Sequence, residues 1–235
     1  MSVAVIADAH IDGPGGEPGP LIEQLGQLGD GRCRRLILLG DLFQTWVGQR
    51  RYETAAIRQV AAALAELKTR GVRIDYVEGN RDFFIGQGPY AELFDSIGDE
   101  VTVEIGGRRM LLVHGDGLNR EDRLYRFWRW FSHCPPSRLA MFHLPRWLAR
   151  RMVIGFERGL ARTNFKHKTE IPEEPILGFA RRRFAEGHDT LLLGHYHEPR
   201  HWRLPEGDVW LLDAWFSSRR VEWLDGAPYA VSAET

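Results

Sequence analysis

The sequence predicts an α/β layered fold, and three observations carry that expectation. Short β-rich apolar runs recur along the 235 residues. Two helix-patterned segments stand between the early runs, so strand, helix and strand alternate as they do when helices cover a largely parallel sheet. Composition is globular: 43% hydrophobic and 27% charged residues suffice for one domain with a sizeable core and room for an inserted subdomain.

The elements follow in order. Val3–Ala7 reads as the first strand. "DGPGGEPGP" (12–20) is a Gly/Pro loop, which excludes regular structure. A helix is expected over 21–28, and a strand over Leu36–Leu39. The second helix, expected over 52–70, is rich in Ala, Leu, Lys and Arg and stops at Gly71, as a C′ glycine would stop it. Ile74–Val77 is the next strand. "VEIGGRRMLLV" reads as a hairpin of Val101–Ile105 and Met110–Val113 turning on Gly106-Gly107. Leu191–Leu193, Val209–Leu212 and Arg220–Trp223 complete the strands.

The stretch 119–168 differs from the rest and reads as a basic helical lid inserted into a core made of 1–118 and 169–235. Residues 120–168 hold twelve Lys or Arg against three Asp or Glu, a net of nine positive charges. Aromatics interleave with them, among them Tyr125, Phe127, Trp128, Trp130, Phe131 and Trp147. Pro135-Pro136 and Pro145 divide the segment into helical pieces. In the last piece Leu148, Met152, Phe156 and Leu160 recur every four residues, an apolar stripe beside arginines. Such a segment suits an anionic, partly apolar ligand or a membrane surface, or it is a solvated basic face.

Elsewhere the charge is balanced. The formal net charge is −1 with nine neutral histidines, so no nucleic acid is expected as a partner. Cys33 and Cys134 have no metal-like spacing and read as reduced thiols of an intracellular protein. No secretory signal or membrane-length apolar run is read, which leads to the expectation of a cytoplasmic protein.

Five short motifs follow strand-like runs: "DAH" (Asp8, His10), "GD" (Asp41), "GNRD" (Asn80, Arg81, Asp82), "HGD" (His114, Asp116) and "GHYH" (His195, His197). In open α/β sheets the carboxyl ends of strands are where sites form. Residues i and i+2 of an extended segment point to one side, so Asp8 with His10, and His195 with His197, can share a metal. Two Asp, one Asn and four His without thiolate suit Mn²⁺, Fe²⁺, Zn²⁺ or Mg²⁺. Seven ligands exceed the needs of one catalytic ion and suffice for two if a carboxylate bridges. Trp46 reads as packing, Asp116 as a brace for the histidines, and His188 and His201 as loop residues. Asp82 either holds the Arg81 fork or caps its turn.

The order D-x-H, GD, GN, H, GHxH resembles the calcineurin-like metallophosphoesterase superfamily. That resemblance implies a four-layer β-sandwich flanked by helices, with a dinuclear centre at one edge. It implies that Asp8, His10, Asp41 and His197 hold one ion. Asp41, Asn80, His114 and His195 would hold the other, with Asp41 bridging. Most of the superfamily has histidine after the asparagine, where it can protonate a leaving alkoxide. Arg81 cannot do so, because its pKa exceeds 12, but it can grip phosphate and offset developing charge. This suits a leaving phosphate, whose second pKa is about 6 and which needs no proton.

"GNRDFFIG", "GDLFQTWVG", "HGDGLNREDRLYRFWRW" and "FHLPRWLARRM" narrow the resemblance to the UDP-2,3-diacylglucosamine pyrophosphatase family of lipid A biosynthesis, over nearly the whole chain. The resemblance implies Mn²⁺, hydroxide attack on the α-phosphorus, and UMP and 2,3-diacylglucosamine 1-phosphate as products. It also implies peripheral attachment to the cytoplasmic face of the inner membrane. By position, the resemblance implies that Asn80, Arg81 and His195 are catalytic, and that Asn80, Arg81, Asp122, Tyr125, Asn164, His167 and His195 contact substrate. The chain departs from the family at His167, where lysine is usual (Lys166 and Lys168 flank it), at Leu160, where serine is usual, and at Gln44, where an acid is common. These departures motivate an alternative, a paralogue acting on other nucleotide conjugates or phosphodiesters. A third reading, a scaffold with a degraded metal site, conflicts with seven competent ligand positions.

Overall fold

The computed structural model describes residues 2–13, 16–118, 127, 130–131, 134–145, 147–148, 151, 155 and 171–224. Two five-stranded sheets face each other. The first has the order β12-β1-β2-β4-β6, and the second β10-β11-β9-β8-β7. Their strands are β1 (Val3–Ile6), β2 (Arg35–Leu39), β4 (Arg73–Val77), β6 (Ser96–Gly98), β7 (Glu100–Ile105), β8 (Arg108–Val113), β9 (Thr190–Leu193), β10 (Arg200–Leu204), β11 (Gly207–Leu211) and β12 (Glu222–Trp223). A small parallel ribbon pairs β3 (Trp46–Val47) with β5 (Asp82–Phe83).

Burial on both faces explains why β1, β2 and β9 read as continuous apolar runs rather than alternating ones. Val3, Val5, Ile37, Leu39, Val103, Met110, Leu112 and Leu192 fill the space between the sheets. Ala4, Ile6, Leu36 and Leu38 point the other way, onto α1 (Pro18–Leu28) and α2 (Ala55–Thr69). On the far side α4 (Glu173–Ala185) lays Ile176, Leu177, Ala180 and Phe184 on β8, β9 and β11. The result is the expected four layers: helix, sheet, sheet, helix.

Several expectations need correction. The loop expected over 12–20 ends early, because Pro18 opens α1, where its missing N–H costs nothing. The second helix begins at Ala55 rather than at Tyr52, because the Thr54 hydroxyl accepts from the Ile57 N–H at 3.1 Å and caps it there. His201 lies in β10, not in a loop, and stacks on Trp210 at 3.5 Å. The hairpin turns as expected, with Gly106 and Gly107 both at positive φ. Trp46 is fully buried against Phe43, Tyr76, Tyr90 and Phe94.

Of the segment expected as a lid, the described residues include α3 (Pro135–His143), which runs between the prolines. Phe142 packs on Phe84 beside the small ribbon, and the Phe142 carbonyl accepts from Arg51 at 2.7 Å. Phe127, Trp130, Leu139 and Trp147 are exposed. Asp122, Tyr125, Leu160, Asn164 and His167 lie outside the described residues.

Candidate metal centre

The parallel registers β1–β2–β4 and β8–β9–β11 bring the carboxyl ends of both sheets to one edge. The first sheet delivers Asp8 and His10 after β1, Asp41 after β2, and Asn80 and Arg81 after β4. The second delivers His114 after β8, and His195 and His197 after β9. Beyond the strand ends the first two loops still run side by side. The His10 and Ile11 N–H groups donate to the Asp41 and Leu42 carbonyls, both at 3.0 Å.

The backbone at these strand ends is not extended. Asp8, His10, Asp41, His195 and His197 all have positive φ, between 44° and 71°. Left-handed backbone outside glycine costs about 1–3 kcal/mol per residue and clusters at functional sites. Asp and His tolerate it better than most residues. Extended-strand alternation therefore describes neither Asp8 with His10 nor His195 with His197. His197 Nε2 lies 3.1 Å from His10 Nε2, whereas the His195 ring packs on His114 at 5.2 Å.

Two clusters result. In the first, Asp8 Oδ1 lies 3.2 Å from His197 Nε2 and 3.7 Å from His10 Nε2. In the second, His114 Nε2 lies 3.3 Å from Asn80 Oδ1 and 3.7 Å from Asp41 Oδ1. Asp41 stands between them, with Oδ2 3.9 Å from His10 Nε2. The His195 N–H donates to Asp8 Oδ2 at 2.8 Å.

Both clusters fit a divalent cation. The Leu39 carbonyl accepts from His114 Nδ1 at 2.9 Å, which assigns the neutral ring's proton to that nitrogen. In the neutral ring Nε2 offers a lone pair, as Asn80 Oδ1 and Asp41 do, so three ligand atoms converge when a cation displaces the proton that the carboxylates attract. In the first cluster two imidazole nitrogens face each other across the buried Asp8 carboxylate. Asp8, His10 and His197 form one group able to hold an ion, and Asp8, Asp41 and His114 another.

The electrostatics agree. Burial opposes charge on His114, but Asp41, Asp8 and Asp116 outweigh it and raise its pKa to about 9. The carboxylates thus attract positive charge to this point. Burial lowers His10 and His195 to about 3, which leaves both rings neutral. Burial raises Asp8, but the hydrogen bond from His197 and the charges of His114, His197 and His10 hold it below the ordinary carboxylate range. Asp116, itself buried, acts on His114 and His195 through its charge.

Arg81 lies over Asp41. Its Nε is 3.4 Å from Asp41 Oδ2, and Nη1 donates to the Gln44 carbonyl at 3.2 Å. Nη2 has no hydrogen-bond partner among the described residues. Asp82 caps its turn rather than holding the fork, accepting from the Gly79 N–H at 2.8 Å and the Asp41 N–H at 3.1 Å. The motif glycines are steric requirements. A Cβ at Gly79 would sit 2.4 Å from Asp41 Oδ1, and one at Gly194 2.6 Å from Asp8 Oδ2.

The motif reading missed Phe216. Its ring packs on His197 at 5.2 Å and on His10 at 5.5 Å, near-perpendicular to both. "DAWFSS" carries no ligand pattern, and its aromatic pair alone could have drawn attention.

Comparison with known proteins agrees with this geometry. The calcineurin-like phosphoesterase family profile matches residues 1–199. The UDP-2,3-diacylglucosamine hydrolase of Ralstonia nicotianae is 32% identical over 227 residues, covering 91% of this chain and 83% of that one. That of Chromobacterium violaceum is 29% identical over 93% of this chain and 92% of its own. That of Edwardsiella ictaluri is 31% identical over 92% and 85%. A strand-edge centre of carboxylate, carboxamide and imidazole groups on a four-layer frame, matched along nearly its whole length, places the chain in the calcineurin-like phosphoesterase family, with the UDP-2,3-diacylglucosamine hydrolases as its relatives.

Proposed function

We propose that this chain hydrolyses the pyrophosphate of UDP-2,3-diacylglucosamine to UMP and 2,3-diacylglucosamine 1-phosphate. The observation that carries this reading is the convergence of two clusters of carboxylate, carboxamide and imidazole groups on Asp41 beneath a guanidinium. Asp8, His10, Asp41 and His197 would hold one cation, and Asp41, Asn80, His114 and His195 the other. Mn²⁺ suits this set of carboxylate, carboxamide and imidazole donors. Bound there, the pair supplies Lewis acidity at the phosphoryl oxygens and makes water nucleophilic near neutral pH.

The chain's own residues do the rest. Arg81 turns Nε toward Asp41 and donates from Nη1 to the Gln44 carbonyl, and keeps Nη2 to grip a phosphoryl oxygen. It donates no proton, which suits a leaving phosphate. Asn80 turns its carbonyl oxygen inward without adding charge. The neutral rings of His10 and His195 serve as acceptors rather than acids.

Substrate positioning belongs to the inserted segment 119–168, in this reading a lid. Asp122, Tyr125, Asn164 and His167 are its contacts to the sugar and phosphate. Exposed Phe127, Trp130, Leu139 and Trp147 within this basic stretch support attachment to the cytoplasmic face of the inner membrane. Among the described residues no helix is long and apolar enough to cross a membrane. The changes at Leu160 and His167 favour one second reading, a paralogue acting on other nucleotide conjugates or phosphodiesters.

The test is Mn²⁺-dependent release of UMP from UDP-2,3-diacylglucosamine. Arg81→Ala is expected to lower kcat by about 10²–10³-fold, the scale of one lost transition-state contact, while two ions stay bound. Faster turnover of p-nitrophenyl phosphate than of the pyrophosphate substrate would refute the reading. Faster turnover of another nucleotide conjugate would favour the paralogue.

A further inference from the structure

We infer that Phe216 is a positioning residue for one of the two clusters, fixing the His10 and His197 rings for a cation. This rests on the reading that the clusters hold two ions. Histidines that bind metals are ordinarily oriented by a hydrogen bond from the second ring nitrogen to a carbonyl or carboxylate. His114 follows that rule through the Leu39 carbonyl. His10 does not: its Nδ1 is buried and has no hydrogen-bond partner among the described residues. Its orientation must come from packing instead.

The packing is specific. The His10, His197 and Phe216 rings form a mutual set with centroids 5.0, 5.2 and 5.5 Å apart. All three pairs are near-perpendicular, at 72–80°. Perpendicular aromatic pairs are favourable and directional, so they resist rotation of each imidazole about χ2. Rotation of either ring would separate the two Nε2 atoms that now face each other at 3.1 Å. Among the described residues the Phe216 ring packs on His10 and His197 and makes no ring or hydrogen-bond contact with Asn80 or His114, so its action is directed at the first cluster.

The chain brings Phe216 to this place without using its side chain. The helix α5 (Trp215–Ser218) follows β11, and the Trp215 N–H donates to the Ala7 carbonyl at 2.8 Å. The Phe216 N–H reaches the Asp8 carbonyl at 3.3 Å. Trp215, not Phe216, is the fully buried anchor of this turn. Truncating Phe216 therefore leaves the backbone ties and the core in place.

The experiment is Mn²⁺ titration of the full chain by calorimetry, with electron paramagnetic resonance of the loaded protein and thermal unfolding of the metal-free protein. Wild type is expected to take two ions and give an exchange-coupled signal. In Phe216→Ala one ion binds as in wild type, and the other binds about 10–100-fold more weakly, as for other lost orienting partners. At limiting Mn²⁺ its signal becomes that of an isolated ion. Phe216→Tyr restores coupling, and the metal-free melting temperatures stay close together. Two ions bound to Phe216→Ala with wild-type affinity would overturn the positioning role alone. Equal weakening of both ions, or a large fall in metal-free stability, would make the role structural and overturn it too. A wild type that takes fewer than two ions would overturn the two-cation reading itself.

Discussion

The cluster around His114 and the cluster around His10 lie side by side, share Asp41, and are built differently. His114 is wholly buried on a regular strand end, and the Leu39 carbonyl holds its outer nitrogen. His10 stands on left-handed backbone, its outer nitrogen has no partner among the described residues, and two other rings hold it. In the His114 half Asn80 and His114 lie outside the positive-φ region and His195 with the shared Asp41 lies within it, whereas Asp8, His10 and His197 all lie within it. The His114 ring is therefore held by a hydrogen bond to the sheet, and the His10 ring by loop geometry and ring packing. A dinuclear centre need not have two equally rigid halves.

The largest effect is expected where the comparison collapses, at the residue common to both halves. Asp41→Ala should remove both ions in Mn²⁺ titration. UMP release should fall by at least about 10³-fold, beyond the loss of any single transition-state contact. Retention of one tight ion would show that Asp41 does not bridge.

A paired substitution separates the halves. Gly79→Ala drives a Cβ to 2.4 Å from Asp41 Oδ1 and 3.0 Å from His114 Nε2. Gly194→Ala drives one to 2.6 Å from Asp8 Oδ2. Gly79→Ala, which presses on the shared Asp41 as well as on His114, should weaken both ions, and Gly194→Ala should weaken chiefly the ion beside Asp8, each by about 10–100-fold, the scale set by disturbed orienting contacts. Titration calorimetry of the two variants checks this, and identical profiles would deny that the halves are distinct.

The smallest effect is expected at the opposite end of the sandwich. The buried Asp75 carboxylate pairs with Arg35 and Arg73 and accepts from the Ser96 hydroxyl. Burial raises its pKa, but these three partners together hold it below its ordinary value. Its contribution to stability is therefore complete above the unfolded value near 3.8, and is lost as pH falls through the lower folded value. Asp75→Asn should lower stability by about 1–2 kcal/mol at neutral pH, because the outer ends of both arginines remain in water. Denaturant melts of the two proteins should converge below pH 3.8, with metal binding unchanged.

Much of this molecule was legible in its sequence for a physical reason. Strands buried on both faces must be apolar throughout, so "VAVI", "RLILL" and "TLLL" announced themselves. The five motifs were legible because ligands and their glycines crowd strand ends. Other elements hid. β10, "RHWRL", is a polar edge strand with no apolar run, and β3 and β5 have only two residues each. α4 carries Pro175 and Gly178 inside an arginine-rich segment, which weakened its helical pattern. The division of His195 and His197 between clusters depends on backbone dihedrals that spacing alone does not report. Phe216 was invisible because a ring that orients ligands has no chemistry of its own to read.

Anomalous diffraction from crystals grown with Mn²⁺ tests the central claim most directly. The account predicts two peaks, about 3.5–4 Å apart as in two-ion phosphoryl-transfer sites. One should lie among Asp8, His10 and His197, and the other among Asn80, His114 and His195, with Asp41 between. A single peak, or peaks away from these residues, would contradict it.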